Sequence, residues 1–274
     1  MQEQFKFNLH HHDLNASAWL PVDPKAVVVL VHGLGGHKQR FEDSVVKYLN
    51  QAQIAVVACD LYGHGKSDGK RGDNPGYNTL MDLISRVVVE AKKRVGNVPL
   101  FLYGHSLGGN LVLNYSLRKP KGIAGTIATS PFLRTAFEPP AFKLKLGRFL
   151  KTVYPSMTLD SELDVEAISR DPAEVMRYKK DKLIHSKVSP RYVFPILDAG
   201  KYALKHAKNL KVPTLICHGT KDRLTDYSAS EEFASQTELA TLIPFNGAYH
   251  ELHHDYCKSE LIEKVLGWLA EQIA

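Results

Sequence analysis

A serine flanked by glycines, Gly104-His105-Ser106-Leu107-Gly108, closes the apolar run "PLFLYGHS" (99–106) and opens the amphipathic stretch "GGNLVLNYSLRK" (108–119). This G-x-S-x-G spacing fits a nucleophile elbow, a sharp strand-to-helix turn that presents a serine hydroxyl on strained backbone. Glycine at 104 and 108 would give clearance where side chains two residues either side of the serine collide across the bend. Position 106 also stands at a helix N-terminus, whose free N–H groups favour developing negative charge. A loose turn between strand and helix is the rival reading. The strand before and the helix after Ser106 favour the elbow.

A serine hydroxyl at its ordinary pKa is a weak nucleophile and needs a base, itself oriented by a carboxylate. Elbow architectures carry the three in the chain order serine, acid, histidine. "HGTKDRLTD" (218–226) offers Asp222 and Asp226; Asp222 lies three residues past the preceding apolar run, whereas Asp226 is placed to cap the next helix. "NGAYHELHHD" (246–255) offers His250, His253 and His254. His250 is nearest the strand and is the expected base, His253 is expected to line the pocket, and His254 to be a solvated residue at a helix start. "HGLGGH" (32–37) ends another apolar run, and there the Leu34 N–H, paired with that of Leu107, would form an oxyanion hole. A flexible glycine turn is the alternative, and the G-x-G-x-x-G phosphate spacing is absent from 32–37. "DLYGHGKSDG" (60–69) reads as a tight structural loop in which His64 has no catalytic role. His10, His11 and His12 would bind metal only adventitiously, lacking carboxylate or cysteine spacing, so no metal or cofactor is expected.

The elements that must position these residues alternate along the chain. Near-continuous apolar blocks at 26–33, 54–60, 99–106, 122–131, 214–219 and 240–245 suit strands buried on both faces. Amphipathic stretches at 40–51, 79–95, 108–119, 226–236 and 258–274 read as helices. The expected fold is α/β, a mostly parallel sheet flanked by helices, with an edge hairpin in the first twenty-odd residues. Between 132 and 195 no strand-like block occurs, and 141–155 and 171–181 read as helices. The expected organisation is therefore a core of 1–131 and 196–274 carrying a helical cap at 132–195.

At 274 residues, 44% hydrophobic and 23% charged, the composition is that of a soluble globule. The longest near-apolar stretch, 26–34, is far short of the ~20 residues of a spanning helix, and the N-terminus has no secretory-signal pattern. A formal charge of +6 raises nucleic acid as a partner, but Lys and Arg are dispersed and not clustered with aromatics, so none is expected. Residues 131–195 hold 12 Lys/Arg against 8 Asp/Glu, a local basic excess. Cys59 and Cys217 sit in apolar runs as buried thiols, and the odd count of three cysteines points to a reducing, cytoplasmic setting.

In order and spacing, "VHGLGGH", "DLYGHGKSDG", "GHSLGG", "HGTKDRLTD" and "GAYHELHHD" resemble the monoacylglycerol lipase and lysophospholipase branch of the α/β-hydrolases. The resemblance spans nearly the whole chain. It implies an α/β-hydrolase fold, a Ser106–Asp222–His250 triad, an oxyanion hole at Leu34 and Leu107, and a helical cap over the site. In the monoglyceride-lipase part of that family an arginine after the first motif and a second histidine after the catalytic one hold the glycerol head; Arg40 and His253 match those positions. The acidic residue usual in the first motif is Gly36 here. The cap helix mixes Phe137, Phe142 and Phe149 with Lys143, Lys145, Arg148 and Lys151, which suits an acyl pocket and contact with anionic lipid headgroups. Simple packing of that helix on the core is the alternative. The expected activity is hydrolysis of lipid-like esters. A general carboxylesterase or thioesterase, a proline iminopeptidase-like amidase marked by Glu162, Asp164 and Glu166, and a non-enzymatic binding protein are the rivals. Oligomeric state is left open.

Overall fold

Five of the apolar blocks become strands buried along their whole length, because each has a paired strand on both sides and a helical layer on both faces. They are β3 (Ala26–Val31), β4 (Ile54–Cys59), β5 (Leu100–His105), β6 (Gly125–Thr129) and β9 (Thr214–Gly219). The computed structural model describes residues 1–138 and 140–273; Pro139 and Ala274, the last residue of the expected C-terminal helix, lie outside them. With the hairpin β1 (Gln2–Leu9) and β2 (His12–Trp19) and the edge strand β10 (Ala240–Phe245), they form one eight-stranded sheet in the order β1-β2-β4-β3-β5-β6-β9-β10. Every pairing from β4 to β10 is parallel, and only the hairpin side is antiparallel. β10 departs from the expectation of full burial: it has one neighbour only, its middle is partly exposed, and it tolerates Pro244.

The two-residue period of the strands divides the core. In β3, Val27, Val29 and Val31 face one apolar cluster, and Val28 and Leu30 the other. The first cluster is covered by α2 (Tyr77–Val95), α3 (Leu107–Arg118), α6 (Pro190–His206) and α7 (Tyr227–Ala234). The second is covered by α1 (Lys47–Gln51) and α8 (Lys258–Ile273). Burying each such aliphatic side chain contributes roughly 1.5–3 kcal/mol, so the sheet centre is a rigid frame for whatever stands at its carboxyl edge. The single helix expected over 40–51 is instead a 3₁₀ turn, a π turn at Glu42–Val46 and then α1. His10 and His11, both at positive φ (49° and 63°), form the two-residue turn of the hairpin.

The segment after β6 holds α4 (Ala141–Val153) and α5 (Pro172–Lys180), matching the two expected cap helices. It also holds a short antiparallel pair, β7 (Leu159–Asp160) with β8 (Lys187–Val188), where the sequence pattern predicts no strand between 132 and 195. Two residues each carry too little pattern to be read. α6 runs unbroken through residue 195. The segment is fastened to the core by the Ser189 hydroxyl and Arg191 guanidinium on Asp73, by His37 on Asp181 (2.8 Å), and by the His185 N–H on the Gly35 carbonyl (3.1 Å). α4 differs from the other long helices: none of its residues is buried.

Candidate active site

Ser106 joins β5 to α3 at φ 55°, ψ −116°, a conformation that costs a non-glycine residue about 1–3 kcal/mol. It is held there by its N–H on the Thr129 carbonyl (2.9 Å) and by its own carbonyl, which accepts from Asn110 and Phe132 N–H. A Cβ at Gly104 would lie 2.2 Å from the Gly108 carbonyl oxygen, the collision across the bend that the sequence predicts. Gly108 is constrained differently. Its Cβ would lie 2.0 Å from the Val31 oxygen, so the second glycine clears the end of β3, not its partner glycine. Gly108→Ala is therefore expected to cost at least about 3 kcal/mol, since backbone must move on both elements. A urea midpoint equal to wild type would refute this.

At the neighbouring strand ends, Asp222 and His250 meet: Asp222 Oδ2 accepts from His250 Nδ1 at 2.7 Å, and both side chains are buried. Asp226 instead caps α7 and pairs with Arg134, as its position in the sequence suggests. Burial works against the Asp222 carboxylate, but the His250 charge and the hydrogen bonds of His218 and His250 hold it well below the ordinary carboxylate range. Burial likewise pushes His250 down, and the charge and hydrogen bond of Asp222 outweigh it, so its pKa is raised. Three supports go beyond what the motifs indicate. Ser130 Oγ donates to the His250 carbonyl (2.7 Å), Thr225 Oγ donates to Asp222 Oδ2 (2.8 Å), and His218 Nε2 stands 3.1 Å from the same oxygen. His218 and Thr225 lie inside the quoted motif, but spacing alone does not tell a support from a loop polar.

Ser106 and His250 open onto one cavity of about 940 Å³, which also takes in Leu34, Arg40 and the inner face of the cap. A Cβ on Gly33 would sit 3.2 Å from Ser106 Cβ, so the 32–37 loop passes directly beside the elbow. Leu107 is the first residue of α3, and its N–H has no acceptor within the helix. The apolar wall is built by Phe132, Leu150, Phe194 and Leu197. Phe137, Phe142 and Leu146 line it too, yet are 57%, 68% and 54% exposed, which puts them at the rim. Gly36 lines the cavity, and a Cβ there would meet only the Gly33 oxygen at 3.6 Å, so the side chain absent from this position leaves open space.

Arg40 is in the cavity wall, its guanidinium bonded to Glu251 and stacked 4.9 Å over the Tyr178 ring. His253 is not. It is wholly buried behind the wall, stacked on Phe41 at 4.4 Å, and both its ring nitrogens lack a hydrogen-bond partner among the described residues. The expectation of a pocket histidine at 253 is corrected accordingly. His254 is also buried, not solvated: its Nε2 donates to the Arg40 carbonyl at 2.9 Å. His105, Glu251 and His253 bring three metal-type donors within 4.8 Å of one another, but Glu251 is already neutralised by Arg40.

Five buried or half-buried histidines are held neutral. Burial lowers His32 and His185 to about 4 and places His64, His105 and His253 well below the ordinary value. At His32 the cause is geometric as well: Nε2 accepts the Leu61 N–H, so the ring cannot take a second proton without losing that bond. A folded-state pKa below the unfolded one means stability is complete above about pH 6.5 and is lost as pH falls toward 4. His32 alone accounts for about 3 kcal/mol over that window. His250, raised, acts in the opposite sense and is outnumbered. Urea melts at pH 7, 6, 5 and 4 are expected to show a steep fall with uptake of at least two protons, and a flat profile would contradict it.

A family model described as serine aminopeptidase, S33 matches residues 22–256. Monoglyceride lipase of Rattus norvegicus is 30% identical over 265 residues, covering 93% of this chain and 86% of the rat protein. An uncharacterized abhydrolase domain-containing protein of Dictyostelium discoideum is 36% identical over 265 residues; the match takes in 95% of this chain but only 28% of that longer protein. Among solved structures, the monoacylglycerol lipase of Paleococcus ferrophilus matches with a TM-score of 0.87 at 34% identity, over 94% of this chain and 99% of that one.

Proposed function

The chain belongs to the serine aminopeptidase S33 family, among its monoglyceride-lipase-like α/β-hydrolases, and is a carboxylic-ester hydrolase; from there we propose that it cleaves monoacylglycerols or lysophospholipids through an acyl-enzyme on Ser106. His250, oriented by Asp222, takes the Ser106 proton as Oγ attacks the acyl carbonyl. The Leu34 and Leu107 N–H groups meet the oxygen that becomes negative. His250 then protonates the leaving alcohol and activates the water that frees the fatty acid.

The observation that carries the lipid reading is the cavity: about 940 Å³ with a wall of Phe and Leu running from Ser106 to the cap, room for one acyl chain. A Cβ on Gly36 would meet only the Gly33 oxygen, so the wall that also holds Arg40 is open at this position, which supports lysophospholipids beside monoacylglycerols. Turnover of monoacylglycerols, lysophospholipids and p-nitrophenyl esters of graded chain length tests it. A kcat/KM that rises with acyl length beyond eight carbons is expected, and a preference for acetyl esters would overturn the reading.

An amidase is the second reading, because the expected markers Glu162 and Asp164 line the cavity together with Asp160, whereas Glu166 lies outside the lining and pairs with Lys179. Glu162 and Asp164 are paired with Lys143 and Arg223, which leaves them poorly placed to bind a substrate amine. Cleavage of aminoacyl p-nitroanilides faster than of any ester would favour it.

The cap supplies a route to substrate from a bilayer surface. α4 exposes Phe142, Leu146, Phe149 and Val153 beside Lys143, Lys145, Arg148 and Lys151, the composition of a helix that lies on an anionic surface. No helix among the described residues is long and apolar enough to cross a membrane. Phe149→Ser combined with Val153→Ser, both outside the cavity lining, is expected to lower binding to vesicles containing anionic lipid by about tenfold while leaving hydrolysis of a soluble short ester in place. Equal vesicle binding by the double variant would remove the cap from this role.

A further inference from the structure

Asp222 Oδ2, the oxygen that faces His250, is shared. Besides His250 Nδ1 at 2.7 Å, it receives Thr225 Oγ at 2.8 Å and His218 Nε2 at 3.1 Å, while Oδ1 takes the N–H groups of Leu224 and Thr225. His218 lies on β9, is fully buried, and has its other ring nitrogen 2.7 Å from Ser230 Oγ on α7; the Tyr227 ring of the same helix packs edge-on against it. An ionised carboxylate only accepts, so His218 Nε2 must carry a proton, and in the neutral ring Nδ1 must accept from the Ser230 hydroxyl. The result is a directed chain, Ser230 to His218 to Asp222 to His250, with a second imidazole on the far side of the acid.

We propose that His218 is a positioning residue for the hydrolytic reaction: it fixes the rotamer of Asp222 and takes a share of the charge on Oδ2, which sets how basic His250 is. The proposal rests on the reading of Ser106, His250 and Asp222 as the triad. Two consequences follow from hydrogen-bond chemistry. Without His218, Oδ2 loses a donor, so its charge acts more fully on His250 and raises that ring's pKa further. The carboxylate also loses one of the contacts that keep it aligned, so kcat falls while substrate binding is untouched, because His218 does not reach the cavity.

The test is His218→Leu, His218→Gln and Ser230→Ala, assayed on a p-nitrophenyl ester with full pH profiles and melting curves. His218→Leu is expected to lower kcat about tenfold or more with KM within twofold, and to move the acidic limb of kcat/KM upward. His218→Gln restores most of the loss, since its amide donates to Asp222 and accepts from Ser230. A cavity or misfolding effect would lower the melting temperature without moving the limb, and that outcome overturns the proposal. So does a glutamine variant as impaired as the leucine one. If His218→Leu does not fold, Ser230→Ala decides: a severalfold loss in kcat at constant KM supports the chain, and wild-type kcat overturns it. Ser106→Ala and Asp222→Asn run alongside separate the two readings. Activity surviving both sinks the triad, whereas activity lost in both but kept in His218→Leu sinks only the role of His218.

Discussion

Ser106→Ala is expected to abolish ester turnover to within background, a loss on the order of 10⁴–10⁶ in kcat, and to remove labelling by a fluorophosphonate probe. The size follows from what is deleted. An acyl-enzyme route needs Oγ as the atom that bonds to the carbonyl, and the Thr225 hydroxyl that also lines the cavity is committed to Asp222 Oδ2 on the Nδ1 side of His250, away from the nitrogen that would serve Ser106. What survives is the modest catalysis of the oxyanion donors and of substrate binding. The fold should not suffer. Ser106 is anchored through its backbone N–H and carbonyl, both kept in alanine. Ser106→Gly should be more stable than wild type by about 1 kcal/mol, because glycine takes φ 55° without a Cβ penalty. A dead but stabilised glycine variant would show that the elbow holds strain for the sake of the hydroxyl. Ser106→Ala with wild-type turnover, or a probe adduct on another residue, would remove Ser106 from the mechanism.

The parts of this site that a sequence displays are those whose residue type and local spacing decide the structure. The elbow is one, since the turn itself requires a glycine at 104 and the G-x-S-x-G spacing marks Ser106 at its apex. The order of the apolar blocks is another, since burial on both faces demands uninterrupted Val, Ile and Leu. Asp222 separates from Asp226 because helix capping is local and Asp226 holds the capping position. Contacts across the fold are different. His253 and His254 are neighbours in the same loop, and nothing in their letters says that one stacks on Phe41 and the other donates to the Arg40 carbonyl. The motif makes Gly108 look like clearance for the bend when it clears Val31, because the approach of β3 is set by sheet order. Glu251, which neutralises Arg40 from 211 residues away, belongs to the same class.

Asp222→Asn is expected to cost about 10³–10⁴ in kcat, and the pH profile carries the mechanistic content. In the wild type, His250 must be neutral to accept the Ser106 proton, and its pKa is raised through Asp222. The acidic limb of kcat/KM should therefore lie above the ordinary histidine value of about 6.5. Replacing the carboxylate with an amide removes the charge that outweighs burial and leaves burial opposed only by the smaller effect of Glu251, so the limb of the residual activity moves down. The rate falls for a separate reason: an amide at position 222 no longer obliges Nδ1 to carry the ring proton, and the tautomer with a basic Nε2 facing Ser106 loses its advantage. Asp226→Asn is the matched control. Its carboxylate caps α7 and pairs with Arg134 at a half-exposed site, so it should lose about 1 kcal/mol of stability and keep turnover within about twofold. Each variant exchanges one carboxylate for one amide in the same loop, so a difference of about three orders of magnitude between them could come only from which carboxylate faces His250. An Asp222→Asn enzyme with an unmoved limb and a loss below about tenfold would take the orienting role away from Asp222.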